Sequence, residues 1–268
     1  MALSRVDWEA LPELVRWEVE KETGTVYTAE TVSEGLNSAV AVILRTESGA
    51  VFMKGLRKDY PRRWTQDMEA SINRAVRHFS ARLLWRLRSE DWDLLGFEVV
   101  DGRHADYSPG SSDLAAVADT MSELGKVPSP DVQIKLAEDR WRKYVTVPED
   151  VLLLQGDRLL HTDWNNVNVL MSRGRAYLID WAWPTSGAGW IDPACWITRL
   201  MAVGHTADSA EGVVRNVPAW QAAPPEGLRV FASANARVWK EIADASSASW
   251  TLAMAQAAEA WCRHRTAE

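Results

Sequence analysis

The sequence predicts an α+β fold in two lobes: a small antiparallel sheet first, then a mostly helical lobe. Three observations carry that prediction. Val40-Ala41-Val42-Ile43-Leu44 and Ala50-Val51-Phe52-Met53-Lys54 are β-rich runs joined through Glu47-Ser48-Gly49, a hairpin signature. A second pair of runs, residues 81–88 and 92–100, is divided by the polar turn Ser89-Glu90-Asp91. Beyond residue 100 the pattern becomes helical, at 114–124, at 132–145 and in several segments between Trp196 and Arg263. The expected division is therefore residues 1–100 and residues 101–268.

Taken in order, Trp8, Leu11, Leu14, Val15 and Val19 lie at helical spacing and predict an amphipathic helix packed on the first lobe. The stretch Ser33-Glu34-Gly35-Leu36-Asn37-Ser38-Ala39 is small and polar, suited to closing over phosphates with backbone N–H groups and the Ser38 hydroxyl. Lys54 closes the second strand. A helix should follow, with Glu69 as the candidate partner that keeps the Lys54 side chain extended, although Asp67 stands close by. Arg57, Lys58, Arg62 and Arg63 read as a solvated basic face. Further on, Ser108-Pro109-Gly110-Ser111-Ser112-Asp113 supplies turn and cap chemistry for the helix over 114–124.

The chemistry concentrates in His161-Thr162-Asp163-Trp164-Asn165-Asn166-Val167-Asn168-Val169-Leu170 and, after a short turn, Tyr177-Leu178-Ile179-Asp180-Trp181. Phosphoryl transfer leaves a protein little covalent work; it must align the acceptor oxygen and neutralise developing charge. An Asp and an Asn five residues apart, with a second Asp ending a nearby apolar strand, match that need. Asp163 is the candidate catalytic group for the acceptor hydroxyl. Asn168 and Asp180 are the candidate oxygen ligands of Mg²⁺, which prefers hard oxygen donors. His161 is expected to support the loop. Lys54 would reach the nucleotide phosphates.

Those residues resemble the aminoglycoside phosphotransferase family of small-molecule kinases, whose loop reads His-Gly-Asp, then a mixed run, Asn and two aliphatics. Thr162 stands where that Gly is common, and Ile179-Asp180-Trp181 matches the family's metal-binding context. Ala182 replaces an acidic residue often found after it, and Gly189-Trp190-Ile191-Asp192-Pro193-Ala194 resembles a Gly-Asp-Pro-Ala segment with two residues inserted. The resemblance implies a protein-kinase-like fold whose residues 1–100 bind nucleotide and whose residues 101–268 carry catalysis and the acceptor. It implies ATP or GTP as donor, Mg²⁺ as cofactor, and adenine paired with backbone groups of Glu98 and Val100. The reaction expected is transfer of the γ-phosphoryl group to a small-molecule hydroxyl, with antibiotic resistance as the family's default role. A catalytically inactive binding protein of the same fold is the alternative. A protein kinase is disfavoured, because the metal Asp lies in Asp-Trp-Ala and no Ala-Pro-Glu follows.

Composition agrees with an enzyme of this kind. The chain has 268 residues, 47% hydrophobic and 25% charged, which are ordinary globular values. A net charge of −7 argues against a nucleic-acid partner. No apolar run is long enough to predict a membrane span. Asp7 and Glu9 break any leader-like apolar stretch, and two cysteines without metal-ligand spacing fit a reducing cytoplasm. Neither a P-loop nor a dinucleotide fingerprint occurs. Most of the 15 tryptophans should fill helical cores, with Trp183 and Trp190 the candidates for an aromatic acceptor wall. Charges after Trp181 are nearly balanced, so the residues themselves do not select a polycationic acceptor over a sugar, an amino alcohol or a nucleoside antibiotic.

Overall fold

The computed structural model describes residues 5–33, 37–246 and 248–267. It divides into two compact units, Met1–Gly102 with Tyr177–Ala182, and Arg103–Ala176 with Trp183–Glu268.

In the first unit, a 3-10 turn at Trp8–Ala10 leads into α1 (Glu13–Thr23), which ends at Gly24 with φ +76°. Three strands follow, β1 (Val26–Thr31), β2 (Val40–Thr46) and β3 (Gly49–Arg57), then α2 (Trp64–Val76) and the hairpin β4 (Leu83–Ser89) and β5 (Trp92–Glu98). The sheet is antiparallel in the order β1-β2-β3-β5-β4, so β3 is central, and Lys54 lies in register between Ala41 and Leu95. Val40, Val42 and Leu44 alternate onto one face, where they pack with Met53, Leu94, Trp8, Leu11, Val15 and Val19. Leu14, at the same helical spacing, is instead 47% exposed. Lys54, next to Met53, points to the opposite face and meets α2. Gly96 is required where it stands, because a Cβ there would run into the Trp85 indole packed over the strand.

Of the four basic residues after Lys54, Arg57, Lys58 and Arg62 are exposed as expected, while the half-buried Arg63 joins Arg86 and Arg88 of β4 in a network of ion pairs. Asp93 on β5 is fully buried and accepts from Arg86 through Nε (2.9 Å) and Nη2 (2.6 Å) and from Arg63 (3.0 Å). Asp67 takes Arg86 and Arg88, at 2.6 and 2.8 Å, which ties α2 to the β4–β5 hairpin. Burial pushes the Asp93 carboxyl up, but the guanidinium groups outweigh it and hold the group below its ordinary value. Its stabilising contribution is therefore complete above the usual carboxylate range and is lost as the pH falls through the depressed value. Asp93→Asn should cost on the order of 3 kcal/mol. Melting curves from neutral pH into the acid range should show the variant with a lower midpoint at neutral pH and a shallower acid loss than the parent.

The second unit begins with β6 (Arg103–His104) and α3 (Asp113–Leu124). The helix expected over 132–145 is broken: the chain forms β7 (Lys135–Leu136), then α4 (Ala137–Trp141) and a 3-10 turn at Arg142–Tyr144. The reason is tertiary, since β7 pairs in parallel with β11 (Thr185–Gly187), whose other edge carries β8 (Arg158–Leu160). Between β8 and β11 run β9 (Val169–Ser172), antiparallel to β6, and β10 (Arg175–Leu178), which carries the chain into the first unit. The helices α5 (Ile191–Ala202), α6 (Ala207–Val214), α7 (Pro218–Gln221), α8 (Pro225–Asp244) and α9 (Ser249–Ala267) complete the unit. Phe231 of α8 anchors the core, with Trp141, Trp190 and Trp261 around it at 5.1, 5.8 and 6.4 Å between ring centroids. No helix among the described residues is long and apolar enough to cross a membrane.

Candidate active site

In the first unit, three predicted residues come together. Lys54 Nζ lies 2.6 Å from Glu69 Oε2 and 2.9 Å from Asp180 Oδ1. The choice between Glu69 and Asp67 is thereby settled: Asp67 serves the arginine network, and Glu69 faces Lys54. Burial draws the ammonium toward neutrality, yet Asp180 and Glu69 outweigh it and hold Lys54 well above its ordinary value, so it is a fixed cation. The Glu69 carboxyl is pushed up by burial and by the charge of Asp180, against the pull of Lys54. Asp180 adopts φ +61°, a left-handed conformation that Asp tolerates better than most residues. Behind it, Trp181 donates its indole N–H to Ser80 Oγ (3.2 Å) and Leu178 O (3.3 Å), anchoring the segment.

The nucleotide-facing candidates are placed less completely. Ser38 is half-buried just before β2, while Glu34, Gly35 and Leu36 of its loop lie outside the described residues. Glu98 closes β5 and donates its N–H to Arg82 O at 2.9 Å. Val100 lies two residues beyond, outside the sheet.

In the second unit, the loop from His161 to Asn168 is built around Asp192. This buried carboxylate, in the first turn of α5, accepts from the backbone N–H groups of His161 (2.9 Å) and Thr162 (2.8 Å). Burial pushes its carboxyl up, against those two donors. Thr162 sits at φ +67°, where a β-branched residue is strained, and its hydroxyl is buried with no hydrogen-bond partner among the described residues. A glycine meets neither difficulty, which gives a physical reason for glycine at this position in the resembled family. His161 accepts from Asp163 N through Nδ1 at 3.2 Å, the supporting role expected of it. Asn168, at the end of a 3-10 turn over Asn166–Asn168, donates Nδ2 to Asp163 O at 3.2 Å, which turns its amide oxygen elsewhere.

Asp163 is 41% exposed, and Oδ1 accepts from Arg199 Nη2 at 2.8 Å. Arg199 in turn lies 5.0 Å over the Trp239 ring. Asp192 and Arg199 are seven residues apart on α5, two turns along one face, so a single helix orients both backbone and side chain of the Asp163 loop. The sequence reading noticed the Asp192 segment without assigning it a role, and it missed Arg199. An Asp and an Arg at that spacing, just after the Asp180 strand, were the available signal. Trp183 is half-buried. Trp190 is a correction: it is 5% exposed and its ring is spent on Phe231 in the core, which removes it from any acceptor wall.

No protein-family model and no curated protein matches the sequence. Solved structures do match. The choline kinase LicA of Streptococcus pneumoniae aligns with a TM-score of 0.63 at 13% identity, over 94% of this chain and 98% of that one. An aminoglycoside phosphotransferase from Alicyclobacillus acidocaldarius gives 0.62 at 14%, over 96% and 93%. A thermostable mutant of the aminoglycoside phosphotransferase APH(4)-Ia, solved with ADP and hygromycin B, gives 0.59 at 14%, over 94% and 98%. This chain has the kinase-like α+β fold that aminoglycoside phosphotransferases share with a choline kinase.

Proposed function

We propose that the chain transfers the γ-phosphoryl group of ATP or GTP to a hydroxyl of a small molecule. The observation that carries this reading is the Lys54 ammonium held between Glu69 and Asp180, at 2.6 and 2.9 Å, on the central strand of a kinase-like sheet. An ordinary strand-end lysine would be solvated; this one is buried, and its carboxylates keep it charged and extended for the nucleotide phosphates. Ser38 and the backbone N–H of Val100 are further donors for nucleotide.

Asn168 and Asp180 are the residues proposed to hold Mg²⁺: each offers a side-chain oxygen, the donor type that suits this cation, which takes one or two protein oxygens with phosphates and water completing its shell. When bound there, the cation would neutralise charge on the phosphates. The protein's own work falls to Asp163. Arg199 fixes Oδ1, and Oδ2 accepts the hydrogen bond of the acceptor hydroxyl, aligns its oxygen, and takes the proton as the new O–P bond forms and the bridging P–O bond of the nucleotide breaks.

A thermal-shift titration tests the reading. ATP or GTP with Mg²⁺ should raise the melting midpoint saturably, by the equivalent of about 2.7 kcal/mol at a hundredfold excess over Kd, and either component alone should do much less. No response to either nucleotide with Mg²⁺ would return the chain to the class of kinase-like binding proteins.

A further inference from the structure

The half-buried Arg140 of α4 makes no ion pair among the described residues. Its hydrogen bonds both leave from Nη1, to Trp183 O (3.3 Å) and Thr185 Oγ1 (3.1 Å), which are neutral acceptors. Elsewhere the half-buried arginines Arg63, Arg86, Arg199 and Arg265 are each matched to a carboxylate, whereas Arg16 of α1, with its Nε buried, has none among the described residues. Arg140 stands within the field of Asp163 and Asp192, but those carboxylates are engaged by Arg199 and by two backbone N–H groups. Desolvation therefore draws down its guanidinium with no carboxylate in contact to offset the cost. The Nε and Nη2 edge, the fork that matches a carboxylate or phosphate in two parallel bonds, has no partner among the described residues and is not sealed in the interior. Its two neutral acceptors belong to the segment Trp183–Thr185, which follows the metal-binding candidate directly.

We infer that the acceptor carries an anionic group, a carboxylate or a phosphate ester, beside the hydroxyl that is phosphorylated, and that Arg140 binds this group through its Nε and Nη2 edge. The inference rests on the phosphotransferase reading and narrows its substrate. A polyamine sugar or a quaternary ammonium alcohol would bring positive charge toward Arg140 and Arg199 together, which like-charge repulsion opposes. A hydroxy acid or a sugar phosphate meets the unmatched cation instead.

The test uses inorganic sulfate as the anion probe, without nucleotide, at ionic strength held constant with chloride. Sulfate should stabilise the wild-type chain saturably. Arg140→Gln should weaken that response by about tenfold or more, the size of a lost charge-assisted hydrogen bond, with Arg140→Lys between the two. In a second arm, ADP release is followed with hydroxy acids, sugar phosphates, an aminoglycoside and choline. Turnover is expected with an anionic member only, and Arg140→Gln should raise its KM by about tenfold while leaving kcat within about threefold. An equal sulfate response in wild type and Arg140→Gln overturns the inference. So does turnover of a cationic acceptor, which would leave the kinase reading standing. If Arg140→Gln instead weakens stabilisation by Mg²⁺ and ATP by about tenfold, the anion is the nucleotide's own phosphate and the inference also fails. Where no acceptor in the series turns over, the sulfate arm decides.

Discussion

Asp163→Asn should lower turnover by about a thousandfold or more while leaving stabilisation by Mg²⁺ and nucleotide within about twofold of the parent. The change keeps the side chain's size and an oxygen for Arg199 Nη2, now 2.8 Å from Oδ1, so the loop has no steric reason to move. What it removes is the basic oxygen. An amide offers its nitrogen as a donor where the acceptor hydroxyl needs an acceptor, and it cannot take the proton. The loop's backbone bonds, from His161 N and Thr162 N to Asp192 and from Asn168 Nδ2 to Asp163 O, do not involve the altered atoms. Lys54, Glu69 and Asp180 belong to the other unit and keep their mutual contacts. Steady-state ADP release with a responding acceptor, beside a nucleotide melting series on the same preparation, separates the two effects. Activity within about tenfold of the parent would mean that Asp163 is not the group facing the acceptor hydroxyl.

The sheet of the first unit was legible because its signals are local. Alternating Val40, Val42 and Leu44, the Gly49 turn and the polar break at Ser89-Glu90-Asp91 each fix a strand pair within a few residues. The helix over 113–124 was legible for the same reason, from its turn-rich lead-in. Residues 132–145 misled because Lys135 and Leu136 pair with Thr185 and Ser186, about fifty residues away in sequence, and that partner is invisible to a window read along the chain. Leu14 and Trp190 failed in opposite directions. A strip of apolar residues at helical spacing does not say which of its edges faces water, and an aromatic ring in a loop does not say whether a Phe from a later helix will cover it.

In the candidate site, the side chains with a direct chemical part were readable from type and spacing, whereas those that hold them were not. Lys54, Asp163, Asn168 and Asp180 stand in recognisable local contexts. Asp192 and Arg199 act through contacts made across loops and helices, at separations of about thirty to forty residues. The strain at Thr162 was no more legible. Its φ of +67° accompanies a backbone N–H bonded to Asp192, and only the family resemblance marked the position beforehand as one suited to glycine.

Asp180→Asn should remove most of the Mg²⁺ dependence of nucleotide binding, weakening the Mg²⁺-nucleotide complex by about a hundredfold or more, since even outer partners of metal ligands are worth ten- to a hundredfold. Asn is the informative replacement because it tolerates the left-handed backbone at φ +61°, whereas Ala would add backbone strain of about 1 kcal/mol and blur the result. The substitution also strips one of two carboxylates from Lys54, leaving Glu69 at 2.6 Å as its sole anionic partner of the pair. Lys54 should stay charged on that one partner, so nucleotide without metal should bind about as weakly to the variant as to the parent. The gap between metal-free and Mg²⁺-containing titrations, rather than either midpoint, is thus the quantity that collapses. Melting curves over a series of Mg²⁺ concentrations at fixed nucleotide read it directly. A gap of the parent's size in Asp180→Asn would show that the cation is held without Asp180, and would leave that carboxylate with the single task of orienting Lys54.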